Sequence, residues 1–253
     1  MPEFNLLKPK EYCPFANLVD SNKVLCAYSS RYFKNMSLSY GDTKDSLYNR
    51  NNFLTSVGID YRDLVCAKQV HGDNIRHIKE EDRGSGALSY DTAIPDTDAF
   101  LTDRKNVPLA VFTADCLSLF LYDALQPAIG LIHAGWRSTQ KNITAKAIKL
   151  MQELFATNPA SLYVGFGPAI RSCCYEVGLD TGNLFPQDII NRNNRYYLDL
   201  VKANKKQALD SGVKEANIFD PEICTSCRND EFFSYRKEGK DCGRIMSVIM
   251  LKG

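Results

Sequence analysis

The stretch "AIGLIHAGWRST", from Ala128 to Thr139, contains one of only three histidines in the chain and its only tryptophan. Its first five residues are apolar or glycine, which predicts a buried strand. His133 follows at the end of that run, and Gly135 then opens a loop. Because α/β proteins place their sites at the rims of sheets, this histidine is a candidate site residue.

Similar runs of apolar and β-branched residues, bounded by turn formers, predict further strands. The central runs are apolar at successive positions, which is typical of a sheet covered on both faces. The predicted strands are Val24 to Ser29, Leu64 to His71, Pro108 to Cys116, Leu117 to Asp123, Leu162 to Gly167 and the closing Gly243 to Leu251.

Three segments have the pattern of helices. The first, "KDSLYNRNNFLTSV", follows Asp42 and Thr43 as candidate N-caps and stops at Gly58. The second begins near Ser138 and Thr139 and ends before Pro159, and the third, "YYLDLVKANKKQALDSG", stops at Gly212. We find no repeat, low-complexity tract or flexible linker, so residues 1–253 are predicted to form a single compact α/β domain.

Composition narrows the class of protein. The chain is 44% hydrophobic and 24% charged, with a formal net charge of +1, so neither nucleic acid nor an anionic membrane surface is expected as a partner. The N-terminal stretch lacks the pattern of a secretory signal, and no apolar run approaches ~18 residues. Nine cysteines, an odd number, favour reduced thiols in the cytoplasm. A monomer is expected.

Three side chains that could ligate a soft metal end three predicted strands, namely His71, Cys116 and His133. If the strands are neighbours, the side chains converge. Two imidazoles and a thiolate suit zinc and leave a fourth position for water or substrate. Asp115 and Gln69 lie beside ligands in the sequence, so one of them could orient an imidazole or move a proton. The spacing is long, and a lone cysteine or histidine is more often structural, so the pattern alone leaves a core role open.

Two cysteine-containing segments are weaker candidates. "CTSC", from Cys224 to Cys227, could join Cys242 as half of a zinc ribbon, but no second such pair and no nearby histidine exist, so no metal is expected there. "SCCYEVG" follows the turn "GFGPAI", which lacks the P-loop pattern but could present backbone amides to an anion.

Four arginines could reach a ligand, although each alone is most simply a surface charge. A guanidinium beside aromatic rings suits a phosphate and a flat heterocycle. The four are Arg50, Arg137, Arg236 and Arg244, of which Arg137 follows His133 closely and Arg236 lies in the aromatic and basic segment "FFSYRKEGKDCGR".

Taken together, the motifs resemble those of the YfiH/DUF152 family, also called the multicopper polyphenol oxidase or laccase-domain family. The resemblance runs from about Asn35 to the C-terminus. It implies a mixed α/β (α+β) fold with a β-sandwich core and flanking helices, and a metal site at His71, Cys116 and His133. The motifs are "KQVHGDNI", "DTDAFLTD", "TADCLSLFLYD", "IGLIHAGWRST", "VGFGPAIRSCCYEVG", "DPEICTSC" and "FFSYRKEGKDCGR".

This resemblance implies a zinc-dependent purine nucleoside enzyme. The expected reactions are phosphorolysis of adenosine, inosine and methylthioadenosine, with phosphate as co-substrate, and deamination of adenosine. Cys116, His133 and Asp115 would be catalytic. The substrate-binding residues would be Arg50, which matches an Asn-Arg position of the family, with Gln69, Arg137 and Arg236.

Two other functions stay open. A copper-dependent polyphenol oxidase is the first, with copper as the alternative metal. Three histidines cannot supply a multicopper cluster, although a single copper could bind at His71, Cys116 and His133. The second is an amide hydrolase or peptidoglycan-precursor editing factor, with Cys116 as nucleophile and His133 or His71 as base.

Overall fold

Two adjacent strands lie at the centre of the protein, which we describe from a computed structural model covering residues 22–39 and 41–253. They are β5 (Leu117–Asp123) and β6 (Ala128–Ala134), and every residue of both is buried. They pair antiparallel along their whole length, with Leu117 opposite Ala134 and Asp123 opposite Ala128. The apolar runs predicted for these segments therefore form the central hairpin.

The other elements surround this hairpin. The remaining strands are β1 (Val24–Tyr28), β2 (Ile75–His77), β3 (Ala99–Thr102), β4 (Leu109–Thr113), β7 (Tyr163–Phe166), β8 (Glu176–Val177), β9 (Ile189–Arg192), β10 (Arg195–Leu198), β11 (Ile218–Phe219) and β12 (Ile245–Leu251). The α-helices are α1 (Thr43–Ser56), α2 (Trp136–Gln140), α3 (Ile143–Phe155), α4 (Leu179–Asn183), α5 (Leu200–Asp210) and α6 (Tyr235–Glu238).

Two of the sheets pack face to face. The larger has the order β11-β7-β5-β6-β3-β2, and the smaller has the order β1-β12-β4. One apolar cluster fills the space between them, with Phe120 and Leu131 from the larger sheet and Val111 and Ile249 from the smaller. A third, peripheral sheet has the order β8-β10-β9.

Helices cover the outer faces of both large layers. Residues of α3 and α5, such as Ile148 and Val201, pack on the outer face of the larger sheet. Phe53 and Leu54 of α1 pack on the outer face of the smaller sheet. The resulting order of layers is helix, sheet, sheet, helix, which confirms the expected β-sandwich core with flanking helices.

Some predicted boundaries are wrong. The segment from Leu64 to His71 forms only isolated bridges, at Val65 and Ala67, rather than a strand. The predicted second helix is two helices, because Asn142 between them has a left-handed backbone, with φ of 61°. The third begins at Leu200, since the preceding residues belong to β10. The first helix is confirmed, and Asp42 caps it by accepting from the amides of Lys44 and Asp45.

Two further features concern the helices and one cysteine. Among the described residues, none of the helices has the length and apolar character needed to cross a membrane. Cys26 is disulfide-bonded, so the expectation of reduced thiols throughout the chain is wrong for this cysteine. The prediction that residues 1–21 belong to the same domain lies outside the described residues.

Candidate metal centre

The pairing of β5 with β6 brings two of the predicted ligands together. Cys116 immediately precedes β5, and His133 lies near the end of β6, opposite Ser118. Asp115, just before the cysteine, has a φ of 84°, so the chain turns sharply into the strand. The two side chains are neighbours because the strands are antiparallel and hydrogen-bonded in this register.

A single carboxylate brings the third ligand to the same place. Asp98 is almost fully buried and accepts hydrogen bonds from the backbone amides of Val70 (3.2 Å), His71 (3.0 Å) and Gly72 (2.7 Å). The loop around His71, whose φ is 57°, is therefore wrapped around this carboxylate. His71 is exposed, whereas His133 is buried.

The same carboxylate orients His133. Asp98 immediately precedes β3, which pairs with β6, and its Oδ1 lies 2.8 Å from His133 Nδ1. Its backbone carbonyl also accepts from the His133 amide, at 2.7 Å. A ring nitrogen held by a carboxylate leaves Nε2 to face a metal, and this is the usual support of a metal-binding histidine.

We call His71, Cys116 and His133 the cavity cluster. Their ligand atoms all lie within 4.8 Å of one another. The two imidazole planes are inclined at 74°, with centroids 4.8 Å apart. Gly135 leaves room beside them, because a Cβ at this position would lie 3.0 Å from His71 Cδ2 and 3.1 Å from Cys116 Sγ. The donors, their spacing and the supporting carboxylate fit one zinc ion with an open fourth position.

Electrostatics favours the charged forms of Cys116 and His133. Burial raises the pKa of the Cys116 thiol, but His133 and His71 outweigh that effect and lower the pKa to about 6. Burial lowers the pKa of His133, whereas Cys116 and Asp98 raise it to about 9. A thiolate is the form of cysteine that binds metals and acts as a nucleophile.

The cavity cluster faces a cavity of about 560 Å³. All eight residues predicted for the site line this cavity, although the predictions came from segments far apart in the sequence. They are Arg50, Gln69, His71, Asp115, Cys116, His133, Arg137 and Arg236.

Asp115 connects three segments of the cavity wall. Its carboxylate accepts from the Thr225 hydroxyl at 2.6 Å and from the Arg236 amide at 2.7 Å. Its backbone carbonyl accepts from the amide of Ile170 at 2.9 Å. For His133, the expectation that Asp115 or Gln69 orients the imidazole is wrong, because Asp98 does so. A proton-transfer role for Asp115 stays a prediction.

Gln69 and Arg50 brace the opposite wall. The Gln69 side-chain amide makes two hydrogen bonds with the backbone of Phe112, at 2.8 and 2.9 Å, and so continues the edge of β4. Arg50 is buried, and its Nε and Nη1 donate to the carbonyls of Met36, Gly86 and Ala87. Its guanidinium lies over the Phe112 ring, 4.7 Å from the centroid.

The cations that are more open to a ligand are Arg137 and Arg236, both of which are exposed. Arg137 lies over the Trp136 ring, 4.3 Å from its centroid, and Arg236 lies over Tyr175 at 5.4 Å. Burial, followed by the nearby Cys116, raises the pKa of the Tyr175 hydroxyl. This hydroxyl therefore stays protonated and able to donate a hydrogen bond near neutral pH.

Sequence reasoning assigned no role to Asp98 or Tyr175. Asp98 has a local signal, since it is an acidic residue immediately before an apolar strand, "AFLT". Tyr175 has none, because its place in the cavity depends on contacts between distant segments. The expectation of an anion site at "GFGPAI" is not supported, since the amides of Gly167, Ala169 and Ile170 all donate to backbone carbonyls.

The sequence predicts no metal at "CTSC" because it shows no second pair of ligands, but the structure brings such a pair beside it. Cys224 and Cys227 lie beside Cys173 and Cys174, and we call these four residues the thiol cluster. Their sulfur atoms lie within 4.8 Å of one another, whereas Cys242 is not part of the group.

Comparisons with known proteins place this geometry in context. Residues 26–252 match the family model described as multi-copper polyphenol oxidoreductase laccase. Purine nucleoside phosphorylase YlmD of Geobacillus stearothermophilus is 36% identical over 225 residues, covering 85% of this chain and 82% of that protein. Adenosine deaminase RL5, from an unknown prokaryotic organism, is 31% identical over 205 residues, covering 78% of each chain.

Solved structures agree with the fold. The Bacillus licheniformis protein YfiH superposes with a TM-score of 0.87 at 30% identity, covering 90% of this chain and 93% of that one. YlmD from Geobacillus stearothermophilus also gives a TM-score of 0.87, at 31% identity, covering 95% of this chain and 94% of that one.

Proposed function

Because this chain belongs to the multi-copper polyphenol oxidoreductase laccase family, known also as YfiH/DUF152, we propose that it is a zinc-dependent purine nucleoside enzyme. Its substrates would be adenosine, inosine and methylthioadenosine, which it would cleave with phosphate, and it would also deaminate adenosine. The single observation that carries the proposal is the cavity cluster, supported by Asp98 and open to a cavity with aromatic and guanidinium walls.

The relatives support the substrate class. Proteins similar to this chain carry the names purine nucleoside phosphorylase and adenosine deaminase. The cavity matches the size of a small-molecule site, with a volume of about 560 Å³. Tyr175 and Phe112 offer aromatic surface for a purine ring, and both line the cavity.

In this proposal, the residues divide the work by position. His71, Cys116 and His133 hold zinc, and Asp98 fixes the His133 ring. A zinc ion would supply Lewis-acid chemistry and activate water near neutral pH. Arg137 and Arg236 bind phosphate, since their guanidinium groups are exposed at the cavity. The Nε and Nη1 atoms of Arg50 already donate to backbone carbonyls. The main role that we propose for Arg50 is therefore to stabilise the cavity wall, and contact with the substrate is its secondary role.

Asp115 is the proposed group for proton transfer. It lines the cavity next to Cys116 in the sequence, and its two carboxylate oxygens are held by Thr225 and Arg236. Those hydrogen bonds fix the carboxylate in one orientation, as general acid-base catalysis requires. We further propose that the protein is a cytoplasmic monomer and that it binds neither nucleic acid nor a membrane.

One observation favours a second candidate. In space, Cys116 contacts His133 and His133 contacts Asp98, which is the arrangement of a nucleophile, a base and an orienting carboxylate. The pKa of the Cys116 thiol is lowered to about 6. A metal-free amide hydrolase, of the kind that edits peptidoglycan precursors, would use this arrangement. Dependence on metal separates the two functions.

Copper oxidase activity is less well matched. The chain has three histidines, and His77 lies outside the cavity, with its ring packed 5.3 Å from the ring of Phe155. Two imidazoles and one thiolate could hold a single copper ion but not a multicopper cluster.

The direct experiment incubates the purified chain with each nucleoside, with and without phosphate, and separates the products by chromatography. Phosphate-dependent release of base, and inosine formation from adenosine, are expected. Absence of both products from zinc-loaded protein would contradict the proposal. Parallel assays of the copper-loaded protein with a phenol, and of the metal-free protein with amide substrates, test the two alternatives.

A further inference from the structure

The thiol cluster lies where two distant segments meet. Cys173 and Cys174 follow β7, whereas Cys224 and Cys227 lie between β11 and α6. Sγ of Cys227 is 3.6 Å from Sγ of Cys173 and 3.4 Å from Sγ of Cys174, and all four side chains are free thiols. Because zinc binds sulfur at about 2.3 Å, a tetrahedral ion would place its four sulfurs about 3.8 Å apart. The two distances are close to that value and far longer than a disulfide bond, and the other sulfur pairs lie within 4.8 Å.

The backbone holds the two segments in place. Ala169 forms a parallel bridge with Cys224, and the amide of Thr225 donates to the Ala169 carbonyl at 3.1 Å. The amide of Arg228 donates to the Cys224 carbonyl at 2.9 Å, which closes the "CTSC" turn. The amides of Arg171 and Cys227 point to the Cys224 sulfur. The sulfurs are therefore brought together by a connected framework, and amides directed at a ligand sulfur support metal binding.

Positive side chains surround the thiol cluster. Arg192 donates to the Ser172 carbonyl, and Arg236 donates to that of Cys174 at 3.3 Å. Arg171 and Arg228 are also adjacent, although each is paired with a carboxylate. Four thiolates around a divalent cation carry a net charge of −2, which nearby guanidinium groups stabilise.

We propose that Cys173, Cys174, Cys224 and Cys227 bind a structural zinc ion, separate from the ion of the cavity cluster. Four protein ligands leave no open position, which is the coordination of a structural rather than a catalytic zinc. None of the four cysteines lines the described cavity. Binding releases the thiol protons to solvent and involves no oxidation or reduction.

The zinc ion would stabilise one wall of the cavity. Tyr175 directly follows Cys174, and Arg236 donates to the Cys174 carbonyl while its guanidinium lies over the Tyr175 ring. Ile170 and Asp115 are joined to the same framework by a backbone hydrogen bond of 2.9 Å. The ion therefore positions residues of the cavity without contacting a substrate.

The decisive test uses the full chain with the cavity cluster removed, as the double variant Cys116→Ser/His133→Ala. The protein is purified without chelator, its metals are counted by mass spectrometry, and the zinc is examined by X-ray absorption. One zinc per chain, with sulfur neighbours alone at about 2.3 Å, is expected. A chain without zinc, a zinc with nitrogen or oxygen neighbours, or the visible absorption of an iron–sulfur cluster would overturn the proposal. Because the cavity cluster is absent from this variant, the result does not depend on the proposed enzymatic function.

A complementary variant, Cys173→Ser/Cys227→Ser, changes the two exposed members of the thiol cluster. It should lose the sulfur-only zinc, melt at a lower temperature and show a raised KM for nucleoside. Cys242→Ser is the control, since Cys242 is a cysteine outside the thiol cluster, and this variant should keep all the zinc. If the cluster variant fails to fold, cadmium NMR of the unsubstituted chain decides. A resonance typical of four sulfur ligands supports the proposal, and its absence contradicts it.

Discussion

The cavity cluster and the thiol cluster both gather metal-binding side chains, but they differ in ligands and in surroundings. The cavity cluster has two imidazoles and one thiol, backed by a buried carboxylate and open to a cavity of about 560 Å³. The thiol cluster has four sulfurs and lies outside that cavity. An incomplete set of ligands beside a cavity suits catalysis, whereas a complete set between two loops suits stability.

The two clusters are also built differently by the chain. Cys116 precedes β5 and His133 lies on β6, and the regular pairing of these two buried strands sets their positions. The thiol cluster depends on irregular segments joined by an isolated bridge. The sheet therefore positions the side chains of the cavity cluster. The irregular segments are the part of the cavity wall that a bound ion would stabilise most.

The largest effect is expected for His133→Ala. Loss of this ligand removes the Lewis acid, which is worth several kcal/mol, so kcat/KM for nucleoside should fall on the order of 10³-fold. The sulfur-only zinc of the thiol cluster should remain. Steady-state kinetics and metal counting check both outcomes. The control is His77→Gln, because His77 lies on β2 outside the cavity, and this variant should keep both zinc ions and its activity.

The next largest effect is expected for Asp98→Asn. The asparagine side chain has the same shape but no charge, so it holds the His133 ring less firmly and leaves fewer acceptors for the amides of residues 70–72. Zinc affinity of the cavity cluster should fall by about 10- to 100-fold. Competition with a chromophoric chelator measures the change. Asp103→Asn serves as control, since Asp103 is exposed and pairs with Arg104; an equal loss of affinity there would refute the special role of Asp98.

Gly135→Ala tests the space beside the cavity cluster. The added methyl group would lie about 3 Å from both His71 and Cys116, so these ligands must move by a few tenths of an ångström. Roughly tenfold lower kcat is expected, with little change in melting temperature, since the Gly135 backbone is one that alanine readily adopts. Gly178→Ala is the matched control, because Gly178 also caps a helix but has nothing within 4 Å of the added atom. Unchanged kinetics for Gly135→Ala would show that the cavity cluster tolerates displacement.

The smallest effect is expected for Arg137→Gln. An exposed guanidinium that binds phosphate contributes about 1 kcal/mol, so KM for phosphate should rise about fivefold while KM for nucleoside changes little. Initial rates at varied phosphate concentration provide the measurement. Arg104→Gln, an exposed arginine outside the cavity, should leave both constants unchanged. A rise confined to the nucleoside KM would reassign Arg137 to the nucleoside.

The same contrast explains what could be predicted from the sequence. The strand that follows Cys116 and the strand that carries His133 are long apolar runs, and local sequence pattern predicts such runs directly. The structure also places His71 beside Cys116 and His133, as the sequence predicts, but its segment is not a strand. Asp98 positions His71 by accepting from its backbone amide, in place of a ladder of backbone hydrogen bonds.

The thiol cluster could not be predicted in this way. Cys173 and Cys227 lie 54 residues apart, and neither segment has a regular period that would indicate their approach. The short strand β3 is hard to predict for a related reason, since four buried residues give little pattern. Asp98 has a local signal, but its contact with His133 depends on the pairing of β3 with β6, which is not local. Local sequence pattern predicts elements, whereas long-range contacts of single side chains require the fold.

The central claim is that the cavity cluster works as a zinc site. The most direct measurement follows phosphate-dependent release of base from inosine in the double variant Cys173→Ser/Cys227→Ser, in which the cavity cluster holds the only zinc expected. The zinc is removed by a chelator and then restored in steps. The account predicts that activity disappears with the metal and returns in proportion to added zinc, up to one equivalent per chain. Turnover that persists in the metal-free protein would contradict it and favour Cys116 as a nucleophile.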